Sequence, residues 1–292
     1  MPEPAGSPGA RLRAAYGAGC IAMPGVFNAL AALSAKRHGF SAIYMSGAAL
    51  TAGHGVPDIG LLSMSEFVDA ARYITAATDL PLLVDADTGF GGALNVERAV
   101  AQFEQAGVAA IQIEDQQLPK RCGHLSGKSL VTTEEMEQKI RAAAAARSDP
   151  GFVIVARTDA AGVDGFDAAV ERANQYLAAG ADVIFGEALE SREEFSRFRS
   201  EVDAPLLANM TEFGRSPLLS RQELEDLGYA IALYPVTGLR VAMKAVDEAY
   251  AELAASGTQA GFVNRMQTRA ELYGLIGYDG YEARDRDYFG EA

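Results

Sequence analysis

Eight short apolar runs punctuate the chain, and their spacing limits what it can fold into. They are CIAMPGVF (20–27), AIYMSG (42–47), PLLVDAD (81–87), AAIQIED (109–115), FVIVART (152–158), DVIFGEA (182–188), PLLANM (205–210) and AIALYP (230–235). None alternates cleanly between apolar and polar residues, as expected for strands of a parallel sheet covered on both faces. Between them lie amphipathic stretches such as NVERAVAQFEQAG (95–107), TTEEMEQKIRAAAAAR (132–147) and DAAVERANQYLAAG (167–180). Eight successive strand–helix units of roughly 25 to 30 residues suit an α/β fold of the (β/α)8 TIM-barrel type. An open doubly wound sheet is the alternative, and the lack of a GxGxxG fingerprint argues against it.

Local signals mark where helices begin and end. Thr132 with Glu135, Ser191 with Glu194, and Ser220 with Glu223 each fit the S/T-x-x-E capping box. Gly107, Gly180 and Gly228 stand just before the next strand, where a left-handed residue stops a helix. No linker, repeat or low-complexity tract divides the chain, so residues 1–292 read as one domain. The tail after about residue 258 is surplus to the eight units and ends in RAELYGLIGYDGYEARDRDYF. It is expected to form an additional C-terminal helix that packs on a neighbouring subunit.

Composition excludes several function classes. With a net charge of −14 and a pI near 4.7, the chain lacks the basic face that phosphate backbones require. An acidic protein still binds small anions if its cations gather in one cleft. Two cysteines, Cys20 and Cys122, are too few for a disulfide framework, and no CxxC zinc pattern exists. There is no secretory h-region and no apolar run of about 18 residues, so a soluble, cytoplasmic protein without membrane or nucleic-acid partners is expected.

In a barrel the site forms at the C-terminal ends of the strands. There the sequence places Tyr44 and Ser46, Asp85 and Asp87, Glu114 and Asp115, Arg157 and Asp159, Glu187, and Asn209 with Thr211. Asp85 and Asp87, two apart on a strand, should leave the same face and share a cation. Paired oxygen ligands select a hard ion such as Mg²⁺, with Glu114 holding its waters. The alternative is a pair of strand-end caps bonding loop amides. Arg157 ends a buried strand and needs an anion, either Glu187 or Asp159 or a substrate carboxylate. Arg240 and Arg269 are weaker candidates on helix-like segments, and His38 reads as a cation at a helix C-terminus.

The segment KRCGHLSGK (120–128) lies within 16 residues that separate IED from the start signal at Thr132. Lys120, Arg121 and His124 surround Cys122, and nearby cations keep a thiol reactive. Alone, this segment could equally be a mobile basic loop with an incidental cysteine. Cys20, between Gly19 and Ile21, reads as a core residue.

In this order, YMSGAAL, GVPDIGLLS, VDADTGFGG, IEDQ, KRCGH, ARTDA, NMTEFG, YPV and MQTRAELY resemble the isocitrate lyase/phosphoenolpyruvate mutase superfamily. The resemblance runs from about residue 10 to the C-terminus, and KRCGH is the element that marks its carbon–carbon lyases. It implies an α/β barrel with the last helix swapped between subunits of a homotetramer (a dimer of dimers), and a Mg²⁺ ion for which Mn²⁺ could substitute. The implied reaction cleaves a small di- or tricarboxylate, 2-methylisocitrate, into pyruvate and succinate. Relatives with nearly the same site act on 2,3-dimethylmalate or another 2-alkylmalate, hydrolyse oxaloacetate, or interconvert phosphonates. Carried over by resemblance, Asp85 and Asp87 hold the metal, and Asp58 and Glu114 act on it through water. Cys122 is the proton donor, with Lys120, Gly123 and His124 beside it, and Tyr44 has the opposite proton-transfer role. Ser46, Gly47, Ala48, Arg157, Glu187, Asn209, Thr211, Arg240 and Arg269 contact the substrate. The 120–131 loop is expected to be mobile and to close over the substrate, excluding water.

Overall fold

The computed structural model describes residues 6–124 and 127–290. Its strands and helices alternate along the chain. α1 (Pro8–Gly17) precedes β1 (Ile21–Pro24), α2 (Ala29–Arg37), β2 (Ile43–Met45), α3 (Gly47–Gly53), α4 (Met64–Ala77) and β3 (Leu82–Asp85). Next come α5 (Ala93–Gln105), β4 (Ala110–Glu114), α6 (Thr133–Ala146), β5 (Val153–Thr158), α7 (Phe166–Ala179) and β6 (Val183–Gly186). The chain ends with α8 (Arg192–Glu201), β7 (Leu206–Asn209), α9 (Arg221–Asp226), β8 (Ile231–Tyr234), α10 (Thr237–Ser256), α11 (Arg269–Ile276) and α12 (Tyr278–Phe289).

All neighbouring strands are parallel, in the order β1-β8-β7-β6-β5-β4-β3-β2. A bridge between Gly25 and Tyr44 closes the cylinder, with the Val26 N–H donating to the Tyr44 carbonyl at 2.8 Å. Gly25 has to be glycine, because a Cβ there would lie 1.8 Å from the Pro235 carbonyl oxygen. Inside the cylinder Met23, Leu83, Val153, Val155, Val183, Leu207, Ile231 and Leu233 form one cluster, which Leu12 of α1 joins. Arg13 of α1 donates to the Gly151 and Phe152 carbonyls and pairs with Asp182 at 2.8 Å. These contacts seal the N-terminal mouth and leave the opposite end for chemistry.

A second cluster fills the layer between strands and helices, with Phe67, Phe103, Phe195 and Phe198 at its centre. Each such side chain contributes about 1.5–3 kcal/mol by leaving water. With strands buried on both faces, periodicity-two alternation is absent, as the sequence showed.

The helix signals differ in one respect. Ser220 and Glu223 form a complete capping box, whereas Thr132 and Ser191 cap their helices without the reciprocal half. Glu135 turns instead to Lys139 at 3.3 Å, and Glu194 accepts from the Glu190 N–H at 2.6 Å. Gly107, Gly180 and Gly228 all adopt positive φ. His38 is the C-cap of α2, and Cys20 is buried, with its thiol pushed up to about 11 by burial.

The segment after about residue 258 contains α11 and α12. None of α10, α11 and α12 contains a buried residue in the single chain, so the eighth helix of the barrel stands off as well. Its repeating apolar pattern resembles that of a packed barrel helix, and only tertiary placement separates the two. No helix among the described residues is long and apolar enough to cross a membrane.

Candidate active site

The carboxylate pair is built by a turn rather than by strand alternation. β3 stops at Asp85, and Asp87 lies beyond it with φ of 48°. The Asp87 N–H donates to Asp85 Oδ1 at 3.1 Å, so Asp85 stabilises the turn that swings Asp87 back beside it. A Cβ on Gly47 would lie 3.0 Å from both Asp85 Oδ2 and Asp87 Oδ1. Glycine there lets α3 approach, and its first N–H donates to Asp85 Oδ2 at 3.1 Å. Ser46 caps that helix by accepting from the Ala49 N–H.

Lys120 lies 2.6 Å from Asp87 and 2.8 Å from Asp58, and its side chain is 3% exposed. The sequence expectation placed this cation beside Cys122; its ammonium instead serves the carboxylates, because buried anions attract the nearest long cation. Burial raises the Asp87 carboxyl to about 7, with Asp85 and Asp58 adding to the rise and Lys120 opposing it. Burial also holds Glu114 well above the usual carboxylate range despite Arg157 and Lys120.

Arg157 is the centre of the other half. It binds Asp159 through Nε at 2.9 Å and Nη2 at 3.1 Å, and it reaches Glu187 at 3.2 Å and Glu114 at 3.4 Å. The Phe185 ring lies 5.1 Å from its guanidinium carbon. Both sequence alternatives, Glu187 and Asp159, are therefore partners at once.

Asp85, Asp87, Glu114, Asp159 and Glu187 are buried, as are Lys120 and Arg157, and Lys128 is 3% exposed beside Asp159. Five carboxylates thus face three cations. Glu114 Oε1 has no hydrogen-bond partner among the described residues, and Asp87 Oδ1 and Asp58 Oδ1 meet Lys120 at ion-pair distance without hydrogen-bond geometry. Among the described residues no three or more His, Cys, Asp or Glu side chains are grouped so that they alone could hold a metal ion. This donor set fits a hard divalent cation that borrows one or two carboxylates and keeps its waters.

The KRCGH segment rises from a paired neck. Gln116 bridges to Leu130, the Gln117 N–H donates to the Ser129 carbonyl at 2.8 Å, and the Gln116 amide clasps Arg121 in both directions at 2.9 Å. Cys122 is exposed and lines the pocket above the barrel. A Cβ on Gly123 would fall 2.3 Å from Arg157 Nη2 and 2.4 Å from Glu187 Cγ, so the backbone after the thiol packs directly on that ion pair. His124 is engaged at both ring nitrogens. Its Nδ1 accepts the Arg215 N–H at 3.0 Å, which leaves the hydrogen on Nε2, 3.0 Å from Glu187. Loop expectations for Leu125 and Ser126 lie outside the described residues.

The same pocket is lined by Tyr44, Ser46, Ala48, Asp58, Asp85, Glu114, Arg157, Glu187, Asn209, Thr211 and Arg240. Arg240 lies against Glu212 at 3.5 Å and over the Phe213 ring. Three expected site residues do not line the pocket: Gly47 and Asp87, which lie behind it against Asp85, and Arg269, which lies far from it. Arg269 starts α11, is exposed, and takes no part in the lining, because α11 rests on α2 rather than over the barrel mouth.

The model of the phosphoenolpyruvate phosphomutase family matches residues 12–254. The chain belongs to that family. It is 53% identical to a 2-methylisocitrate lyase of Halalkalibacterium halodurans, over 91% of this chain and 88% of that one. It is 45% identical to a 2,3-dimethylmalate lyase of Eubacterium barkeri, over 92% and 93%. A crystal structure of 2,3-dimethylmalate lyase, a PEP mutase/isocitrate lyase superfamily member, superposes with a TM-score of 0.91 at 35% identity, covering 98% and 96%. A phosphonopyruvate hydrolase in complex with oxalate and Mg²⁺ superposes with a TM-score of 0.89 at 33% identity, covering 97% and 100%.

Within this phosphomutase-family frame, sequence reasoning missed several buried partners. Gln112, 0% exposed, accepts from the Tyr44 hydroxyl at 2.8 Å and donates to Asp85 at 3.4 Å. Burial and Asp85 hold the Tyr44 phenol well above its ordinary range, so it stays neutral. Asp115 accepts from Thr158, the Asp159 N–H and Tyr176 at 2.8–2.9 Å, joining the base of the loop to β5 and α7. An uncompensated glutamine inside a run as apolar as AAIQIED was a usable signal, since a buried amide needs partners.

Proposed function

We propose that the chain is a Mg²⁺-dependent carbon–carbon lyase that cleaves 2-methylisocitrate into pyruvate and succinate. The observation that carries this is a thiol, Cys122, held at the mouth of a pocket with a surplus of buried carboxylates on one wall and an arginine network on the other. The 53% identity with a 2-methylisocitrate lyase supports the choice of substrate over 2,3-dimethylmalate, whose lyase is 45% identical.

Asp85 and Asp87 would hold Mg²⁺, or Mn²⁺ in its place, and Glu114 and Asp58 would accept from its waters. The ion, when bound, supplies positive charge next to the oxygen that becomes the carbonyl of pyruvate. The Ser46–Ala48 turn holds the 2-oxo acid half, and the neutral Tyr44 hydroxyl, which donates its hydrogen bond to Gln112, offers its oxygen as an acceptor to the substrate hydroxyl. Arg157, Asn209, Thr211 and Arg240 line the wall for the remaining carboxylates, with Glu187 orienting His124 and Asn209. Carbon–carbon cleavage leaves a carbanion stabilised as an aci-carboxylate, and Cys122 protonates that carbon to give succinate. The hydroxyl proton passes to a carboxylate of the pocket wall and the carbon takes one from the thiol. Solvent then reprotonates the thiolate and removes the other proton, so the cycle closes and is redox-neutral.

A helix-swapped homotetramer of cytoplasmic location belongs to the same proposal, and the exposed apolar residues of α10–α12 support association between copies. Val241, Met243 and Tyr250 of α10 are 66%, 53% and 69% exposed. A mostly apolar groove of about 770 Å³ lies open against α2, lined by Val26, Phe27, Leu30, Ala31 and Phe40. Arg269 would then serve a site only through the assembled oligomer.

A panel of 2-methylisocitrate, 2,3-dimethylmalate, oxaloacetate and phosphonopyruvate, ranked by kcat/KM with added Mg²⁺, tests the proposal. 2-Methylisocitrate is expected first, ahead of 2,3-dimethylmalate, which has a methyl group in place of the carboxymethyl group and so leaves a cation of the wall without its carboxylate. A higher kcat/KM for phosphonopyruvate would overturn the reaction class, and one for 2,3-dimethylmalate would overturn the substrate.

A further inference from the structure

The second lysine of KRCGHLSGK has no part in the mechanism above, yet it is as buried as the first. The Lys128 side chain is 3% exposed. Its ammonium donates to Asp159 Oδ1 at 2.8 Å and closely to the Gly123 carbonyl oxygen. The route is built for it: a Cβ on Gly162 would sit 3.3 Å from the Lys128 nitrogen, so the turn after β5 is left bare where the ammonium passes. Asp159 is wholly buried and already binds Arg157 through two hydrogen bonds. Burial pushes the Asp159 carboxyl up, but Arg157 and Lys128 outweigh it and hold it down at about 2.

These contacts have a consequence for Cys122. Gly123 lies so close to Arg157 and Glu187 that only hydrogen fits on its α-carbon, which fixes one side of the peptide. Lys128 grips its carbonyl from the other. Resting on the lyase proposal, we infer that Lys128 is a positioning residue for the Cys122 thiol: by spanning the Gly123 carbonyl and the Asp159 carboxylate, it holds the backbone after the proton donor against the Arg157 network. Lys128 itself touches no substrate. A lysine suits the task because a compact ammonium serves a carbonyl and a carboxylate at once.

Lys128→Met and Lys128→Arg, measured beside the wild-type protein, test this. In pyruvate release, Lys128→Met is expected to lower kcat by about 10²-fold, the scale of an ångström misplacement, with little change in KM. Lys128→Arg, which keeps the charge, should recover much of that loss. In the ligand-free protein, the rate of Cys122 alkylation by a bulky maleimide should rise several-fold in Lys128→Met while Cys20, buried in the core, stays unmodified. Unchanged kcat and alkylation, an Arg variant no better than Met, or changes that appear only together with Cys20 labelling would overturn the inference. Alkylation needs no substrate. If the wild-type protein releases no pyruvate, the lyase proposal fails and the alkylation rates still decide the role of Lys128.

Discussion

The rim of the barrel and the C-terminal arm draw on similar residue types and treat them in opposite ways. At the rim, Asp85, Asp87, Glu114, Asp159, Glu187, Lys120 and Arg157 are all buried. In α10–α12 every charged residue is accessible in the single chain, and so are Val241, Met243, Tyr250, Tyr281 and Tyr288. Buried ionic groups add little net stability, since desolvation offsets most of their attraction. The rim therefore carries an unfavourable arrangement that only chemistry explains. The arm carries the converse problem, exposed apolar surface of the kind an association would cover. One region bears on the proposed chemistry, the other on the proposed assembly.

The strongest backbone perturbation of the rim is Gly123→Ala. A methyl 2.3 Å from Arg157 Nη2 must push the Cys122 backbone off the ion pair. Activity is expected to fall about 10²-fold with the melting temperature little changed, as read by steady-state kinetics beside thermal unfolding. A fully active Gly123→Ala protein would show that the close packing on Arg157 has no catalytic meaning. Next comes Glu114→Gln, which keeps shape and removes the charge aimed at the ion's waters. Mg²⁺ affinity, followed by titration calorimetry, should weaken about 10- to 100-fold; an unchanged affinity would remove Glu114 from the site.

The arm should respond differently. Val241→Asp is expected to leave the isolated barrel folded and to weaken self-association by about 10-fold or more, because a carboxylate replaces an apolar side chain that association would take out of water. Sedimentation across a concentration series measures it, and an unaltered assembly would remove α10 from the interface. Acid sensitivity tests the rim in another way. The Asp159 carboxyl is held at about 2 against an ordinary 3.8, so its contribution is complete above about pH 4. That stability, about 2 kcal/mol, is lost as pH falls through 2. In Asp159→Asn, denaturant midpoints should lose this component between pH 4 and 2; an unchanged pH dependence would contradict the ion pair.

Much of this was legible in the sequence, for physical reasons. Largely apolar runs of six to eight residues separated by amphipathic stretches permit few topologies, and Ser220 with Glu223 announces a helix because both halves of the box are local. Legibility failed where a side chain chooses between partners brought by distant segments. Lys120 turns to Asp58 and Asp87 rather than to the neighbouring thiol, and His124 is claimed by Arg215 and Glu187. Asp87 was placed correctly beside Asp85 for a wrong reason, because a left-handed aspartate has no signature that separates it from a strand residue. α10 could not be told from a packed helix by its own pattern, since what it lacks is a neighbour.

The central claim is that Cys122 delivers the proton that completes carbon–carbon cleavage. Pyruvate release from 2-methylisocitrate with saturating Mg²⁺, compared between the wild-type protein and Cys122→Ser, tests it most directly. A serine hydroxyl is far too weak an acid to replace the thiol, so turnover should drop by about 10²–10⁴-fold while Mg²⁺ binding is kept. A Cys122→Ser protein that turns over at the wild-type rate would contradict the account.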